Sequence, residues 1–477
     1  MRVSQYFDLR RTQPELDFVD VDVTGDVKVF LDPRALRLLE SDWGAECRSL
    51  IQNCFRTIIS ALRTGDEAKA RSVLSAFREP NETHLGLSKG RAQGRALGDD
   101  SAIEVADSLS ESEAVRTGLL EDLEDTILMV EGIGPDIISD ITTNIIRLPL
   151  IRYTQSVCGI YGITLQQVGS GRLWDPNINE WYTIMVEQPV ANGRRLLLVP
   201  KSIVRFHMDY DPDEYYKLYL LEHLRGVELS ANTELVKILK NGEKRVTKKD
   251  LVKKYGAGKD NTVKITRNYP EVLDHYRSDK RLLVGSPIDN IDLSIAIGSD
   301  LPNWDNLLAD VLDIPYGNEA ATTYHRNVEK LLSALLSTDL SCPEIEQKIH
   351  EGRKRIDITY TNVATKGFFK WIGDHAPAPY VFVECKNYNR DIANPELDQM
   401  SGRFSVRRGK FGIIICRKLQ DKDLFMRRCR DTAADDRGIM IPIDDDDLKT
   451  MVEQMKDTNR TLGDYPLLKQ RCDFILL

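Results

Sequence analysis

The chain has 477 residues, 42% of them hydrophobic and 29% charged, and carries a formal net charge of −9 at pH 7. That length allows two or three domains, and the apolar share is that of a globular protein with real cores, which excludes a disordered or fibrous chain. The negative balance gives no general attraction to nucleic acid, so any such binding must come from local basic patches.

The opening MRVSQYFDLRRTQPELDF lacks the apolar run of a signal peptide, and no stretch of about 18 uncharged apolar residues occurs. A cytoplasmic protein with no membrane partner is therefore expected. The cysteines, at 47, 54, 158, 342, 385, 416, 429 and 472, form no CxxC pair and no zinc-type spacing, so they read as reduced, mostly buried thiols.

Residues 18–31 alternate apolar and polar around Gly25, which predicts a strand pair ended by Asp32-Pro33. Residues 34–63 and 101–130 read as helices, with a glycine-rich loop over 80–100 between them. The glycines from Gly86 to Gly98 lack G-x-x-x-x-G-K-[ST] spacing, so a flexible loop is expected rather than a nucleotide site. Residues 132–146 predict a Gly-Pro turn leading into a helix, and 180–205 a hairpin around Ala191-Asn192-Gly193.

Residues 237–267 hold eleven Lys or Arg against three acids. Within them, 246–256 predicts a short helix stopped by Gly256. Lys248, Lys249, Lys253 and Lys254 on it are candidate contacts to nucleic-acid phosphates. A solvated, lysine-rich helix explains the same pattern equally well, and no interleaved aromatics suggest base stacking.

From about residue 319 helices and strands alternate. A helix (319–337) precedes strands at 344–349, 355–361 and 380–386, then come a helix (395–404), a strand (411–416), a helix (421–432), a strand (438–443) and a helix (444–455). This order predicts an α/β domain at 316–477, a mixed sheet flanked by helices, behind a larger α+β portion at 1–315 with a break near 150–180. The acids Asp444 to Asp447 read as helix capping rather than a metal cluster. Residues 366–371 read as a hairpin extension.

Tyr380 to Lys386 forms an apolar strand closed by Glu384-Cys385-Lys386, and strand alternation puts Glu384 and Lys386 on one face. Asp357 lies amid apolar residues in the preceding strand. If the two strands are neighbours, both carboxylates and an ammonium converge, a set suited to metal-assisted phosphodiester hydrolysis. Glu329 lies on the upstream helix with an apolar face, and Gln399 on the helix after Lys386. Acid-x-Lys triplets alone are weak signals; Asp26-Val27-Lys28, Glu67-Ala68-Lys69 and Asp447-Leu448-Lys449 lack this context.

Residues 319–456 resemble the PD-(D/E)xK restriction-endonuclease-like superfamily. Asp357 matches the motif aspartate and Glu384-Cys385-Lys386 the (D/E)xK, while Ile356 stands where the proline is usually written. The resemblance implies a restriction-endonuclease-like fold in which Asp357 and Glu384 bind Mg²⁺, with Mn²⁺ able to substitute. Lys386 would position water or stabilise charge, with Glu329 and Gln399 auxiliary. It implies an endonuclease acting on DNA, RNA being left open. By analogy it suggests a restriction or antiphage effector, the alternatives being a repair or junction-processing nuclease and a catalytically silent binding module. A homo-oligomer is expected, with residues 1–315 sensing, binding or oligomerising, and any partner protein or activating ligand unspecified.

Overall fold

The computed structural model describes residues 1–86, 105, 107–282, 287–349, 354–457 and 460–477. The architecture is mixed α/β, with many helices and a five-stranded mixed sheet. Two hydrophobic cores organise it. One gathers buried residues from Val3 to Ile297 together with Val363; the other runs from Leu307 to Ile475.

In the first core, α1 (Asp42–Thr64) buries Cys47, Leu50, Ile51, Cys54, Phe55, Ile58 and Ala61, the i, i+3, i+4, i+7 spacing of an amphipathic helix. The Ser41 side chain accepts from the Gly44 N–H at 3.2 Å, and Gly65 at φ 76° ends the helix. This helix starts later than the sequence suggests, because Ala35–Leu38 forms a separate 3₁₀ turn. α2 (Pro135–Ile145) begins with proline in its first turn, and α3 (Arg147–Tyr161) follows it. The expected hairpin forms: Val190–Ala191 pairs with Arg194–Arg195, and Asn192 and Gly193 both take positive φ.

Two expectations fail in this part of the chain. Residues 18–31 make no hairpin; Phe30–Leu31 pairs with Val204–Arg205, and Phe18 and Val27 form single bridges with Pro200 and Leu85. Tertiary burial of most of this segment, not a local ladder, explains its apolar content. Residues 101–130 are not one helix; the described part holds short helices that include Glu113–Thr117 and Asp125–Met129. Gly118 at φ 77° stops the first of these. Positions 87–100 of the glycine-rich stretch lie outside the described residues.

The basic segment belongs to the first core, to which it contributes Val246, Leu251, Val263 and Ile265. α4 (Leu221–Ala231) is followed by α5 (Lys248–Tyr255), which Thr247 caps by accepting from the Asp250 N–H and which ends at Gly256, φ 78°.

The second core is layered on the sheet. α6 (Ala321–Leu336) precedes β1 (Leu340–Ile349), β2 (Lys354–Asn362), α7 (Gly367–His375), β3 (Tyr380–Lys386), α8 (Asn394–Ser401), β4 (Phe411–Cys416), α9 (Lys422–Ala434), β5 (Ile439–Ile443), α10 (Asp445–Lys456) and α11 (Pro466–Leu476). The segment 366–371 is thus the start of a helix, not a hairpin. Spatial order equals chain order, β1 through β5; β1–β2 and β2–β3 are antiparallel, and β3–β4 and β4–β5 parallel. β4 and β5 are buried throughout, as strands covered on both faces must be. On one side the Tyr360 hydroxyl meets Ser333 Oγ of α6 at 3.1 Å; on the other, Phe404 just after α8 stacks on Phe382 at 5.7 Å between centroids. Asp444 caps α10, Lys422 and Arg471 hold the carboxylates of Asp444 and Asp447 at 2.6–3.0 Å, and Asp445 and Asp446 pair with Arg417 and Lys449.

The cores are moored to each other by polar contacts near the N-terminus. Asp17 Oδ1 accepts from Ser341 Oγ at 2.9 Å and from the Cys342 N–H at 2.8 Å, while the Tyr153 hydroxyl donates to Asp17 Oδ2 at 2.6 Å. Arg11 pairs with Glu329 at 2.8 Å, and Lys330 with Glu15 at 3.3 Å. All eight cysteines are free thiols; Cys342 is half-buried and the rest buried. No helix among the described residues is long and apolar enough to cross a membrane.

Candidate active site

β3 lies at the centre of the sheet, where antiparallel pairing gives way to parallel. Its ladder with β2 runs from Thr361↔Tyr380 to Ile358↔Val383 and then stops. Continued by one step, that register would set Asp357 opposite Glu384. Facing residues in an antiparallel pair have Cβ atoms about 5 Å apart, within the span of one cation holding oxygens at about 2.1 Å. Where the ladder stops, the Asp357 side chain takes over: its Oδ2 accepts from the Cys385 N–H at 2.9 Å. The acid is thereby fixed against the neighbouring strand.

Glu384 and Lys386 project to the α8 side. Lys386 Nζ lies 3.3 Å from Glu384 Oε2 and donates to Gln399 Oε1 at 2.9 Å. The other oxygen of Glu384, Oε1, is paired with the guanidinium of Arg403. Exposure is 1% for Glu384, 6% for Lys386 and 7% for Asp357, so all three are largely withdrawn from water. Burial lowers the pKa of Arg403 from its usual value; Asp357 pulls the other way, and Arg355 adds to the fall. Burial, with Asp357 nearby, lifts the Cys385 thiol well above its usual range.

Glu329 is placed differently. It is fully buried, and its carboxylate is held by Arg11 Nη1 and Nη2 at 3.3 and 2.8 Å and by Ser333 Oγ at 2.8 Å. Burial works against the charge of Arg11, but Glu329, Tyr161 and Glu15 outweigh it and hold that group above its usual range. One turn earlier on α6, His325 faces the candidate site instead, with Nε2 3.9 Å from Asp357 Oδ2; its buried Nδ1 has no hydrogen-bond partner among the described residues. His325 and Arg403 are the site residues the sequence reading missed. Each stands four residues from a named candidate, Glu329 or Gln399, a helical spacing that was available as a signal.

The four lysines of α5 divide into two pairs. Lys248 binds Glu222 at 3.2 Å and Lys254 binds Glu228 at 2.5 Å, both tying α5 to α4. Lys249 and Lys253, one turn apart, are exposed.

Among the described residues, no group of three or more His, Cys, Asp and Glu side chains converges as a metal cage. Asp357 and Glu384, on the neighbouring strands β2 and β3, offer hard oxygens. Mg²⁺ is commonly held by one or two carboxylates, completing its shell with water and substrate phosphate oxygens, so this donor set suits it in kind.

Residues 8–211 match a family described as "Domain of unknown function (DUF8370)". No curated protein and no solved structure matches the chain. The family match stops before the second core and therefore covers Arg11 and Asp17 but none of the candidate site on the sheet.

Proposed function

We propose that residues 316–477 form a restriction-endonuclease-like domain that hydrolyses phosphodiester bonds of DNA with Mg²⁺. The observation that carries this reading is that β2 and β3 are paired neighbours, with Asp357 bonded to the Cys385 N–H at 2.9 Å and Lys386 3.3 Å from Glu384. Asp357 and Glu384 would hold the metal. The bound ion would supply a low-pKa water and neutralise charge on the phosphate. Lys386, held by Gln399, presents its ammonium where charge develops or where the attacking water must be oriented. The Cys385 N–H fixes Asp357 so that no reorganisation is needed at the moment of reaction. Glu329 serves as the anchor of α6 to Arg11 rather than as a ligand. On α5, Lys249 and Lys253 are the phosphate-contacting pair.

A role in restriction or antiphage defence rests on analogy with chains that join a large unassigned portion to such a domain. A repair or junction-processing enzyme would instead prefer nicked or branched DNA over intact duplex. The reading is tested by plasmid degradation with Mg²⁺ or Mn²⁺, with EDTA and with Asp357→Ala. Wild type should cut only with metal, and the variant should be slower by about a hundredfold or more. Equal rates in EDTA, or an undiminished Asp357→Ala, would refute it.

A further inference from the structure

Glu384 carries a cation on each oxygen before any metal arrives: Lys386 at 3.3 Å from Oε2, and the guanidinium of Arg403 on Oε1. Lys386 and Arg403 therefore balance the charges of Asp357 and Glu384, while Arg355 nearby is itself paired with Glu346 at 3.2 Å. A divalent ion entering such a pocket meets no net attraction. A phosphate entering alone meets two carboxylates. Entering together, the two neutralise each other, provided one resident cation changes partner.

Arg403 is placed to do so. It sits in the turn directly after α8, four residues beyond Gln399, with only 5% of its surface exposed. Its own carbonyl accepts from Arg408 Nε and Nη2 at 3.3 and 2.9 Å, which pins the backbone from which the side chain reaches Glu384. A guanidinium fork also matches two phosphate oxygens in a way an ammonium does not.

We propose that Arg403 is the counter-ion of Glu384 in the empty site and a ligand of the substrate phosphate in the loaded one, so that metal and nucleic acid bind cooperatively. This rests on the nuclease reading above. On entry of a phosphodiester, Arg403 leaves Glu384 Oε1 for the phosphate and frees that oxygen for the ion. The coupling is reciprocal: each ligand raises affinity for the other by the same factor.

The test is Mn²⁺ binding to the full chain, followed by electron paramagnetic resonance, with and without a short phosphorothioate-linked DNA duplex. Wild type should bind Mn²⁺ weakly alone and about tenfold or more tightly with duplex. Arg403→Gln should bind Mn²⁺ about fivefold tighter than wild type without duplex, and lose most of the enhancement with it. Arg403→Lys, which keeps a charge on Glu384 but lacks the fork, should stay weak alone and also lose most of the enhancement; it stands in if the Gln variant melts early. Unchanged binding and coupling in the Arg403 variants, with Mn²⁺ lost in Glu384→Gln, overturns the role of Arg403 and leaves the nuclease reading standing. No Mn²⁺ binding by wild type even with duplex overturns both.

Discussion

Glu329 and Asp357 show how far a single acid's role depends on what reaches it from elsewhere in the chain. Both looked like site acids, one on a helix and one in a strand. Asp357 meets the Cys385 N–H across one strand pairing, whereas Glu329 meets Arg11 from 318 positions away. Removing one partner of a buried pair leaves an uncompensated charge and costs about 3–5 kcal/mol. Arg11→Ala should therefore lower the urea midpoint sharply, and adding Glu329→Gln should restore much of the loss. A double variant no better than Arg11→Ala would mean that Arg11 acts through its stacking on Tyr161, 4.6 Å from the ring centroid, rather than through Glu329. The acids Asp357 and Glu384 and the ammonium of Lys386 were legible in the sequence because each is an ionisable residue inside an otherwise apolar strand. The partnership of Arg11 with Glu329 was not, because no local pattern encodes a contact between the two cores.

At the level of elements, β3, β4 and α10 were readable almost to the residue. Parallel, doubly covered strands announce themselves as unbroken apolar runs, and α10 opens on its acidic cap. Residues 18–31 misled because alternation there reflects burial by distant segments rather than a ladder. The seat of α8 depends on an absent side chain. A Cβ at Gly412 on β4 would stand 2.7 Å from Met400 Cε, 2.8 Å from its Sδ and 3.1 Å from the Phe382 carbonyl oxygen. α8 carries Gln399, and Arg403 follows it, so its height over the sheet sets the contacts of Lys386 and Glu384. Gly412→Val should lift α8, destabilise the fold by about 1–3 kcal/mol and slow cleavage more than tenfold. Cleavage unchanged in a measurably destabilised variant would show that the position of α8 does not matter to the site.

Across the whole molecule, buried acids make stability depend on pH in a direction that can be worked out. Burial raises the pKa of Glu124 from 4.5 to about 7, against the pull of Arg37 and with a push from Asp122. Between those values the folded chain holds a proton that the unfolded chain has lost, so this group's contribution to stability falls as pH rises through the window. Glu124→Gln should gain on wild type from about pH 4.5 to about pH 7 and hold a constant advantage above it, as read from urea midpoints across that range. A difference independent of pH would show that Glu124 ionises as freely in the fold as in the unfolded chain. The moorings through Asp17, Glu15 and Arg11 place the matched family segment in direct contact with α6 and β1. Cleavage itself depends on the chemistry at β3. The most direct measurement compares Lys386→Ala with wild type for cleavage of labelled DNA duplex and, in parallel, for binding of the same duplex and for melting temperature. Cleavage should vanish while folding and binding persist; a Lys386→Ala protein that cuts as fast as wild type would contradict the assignment of this site.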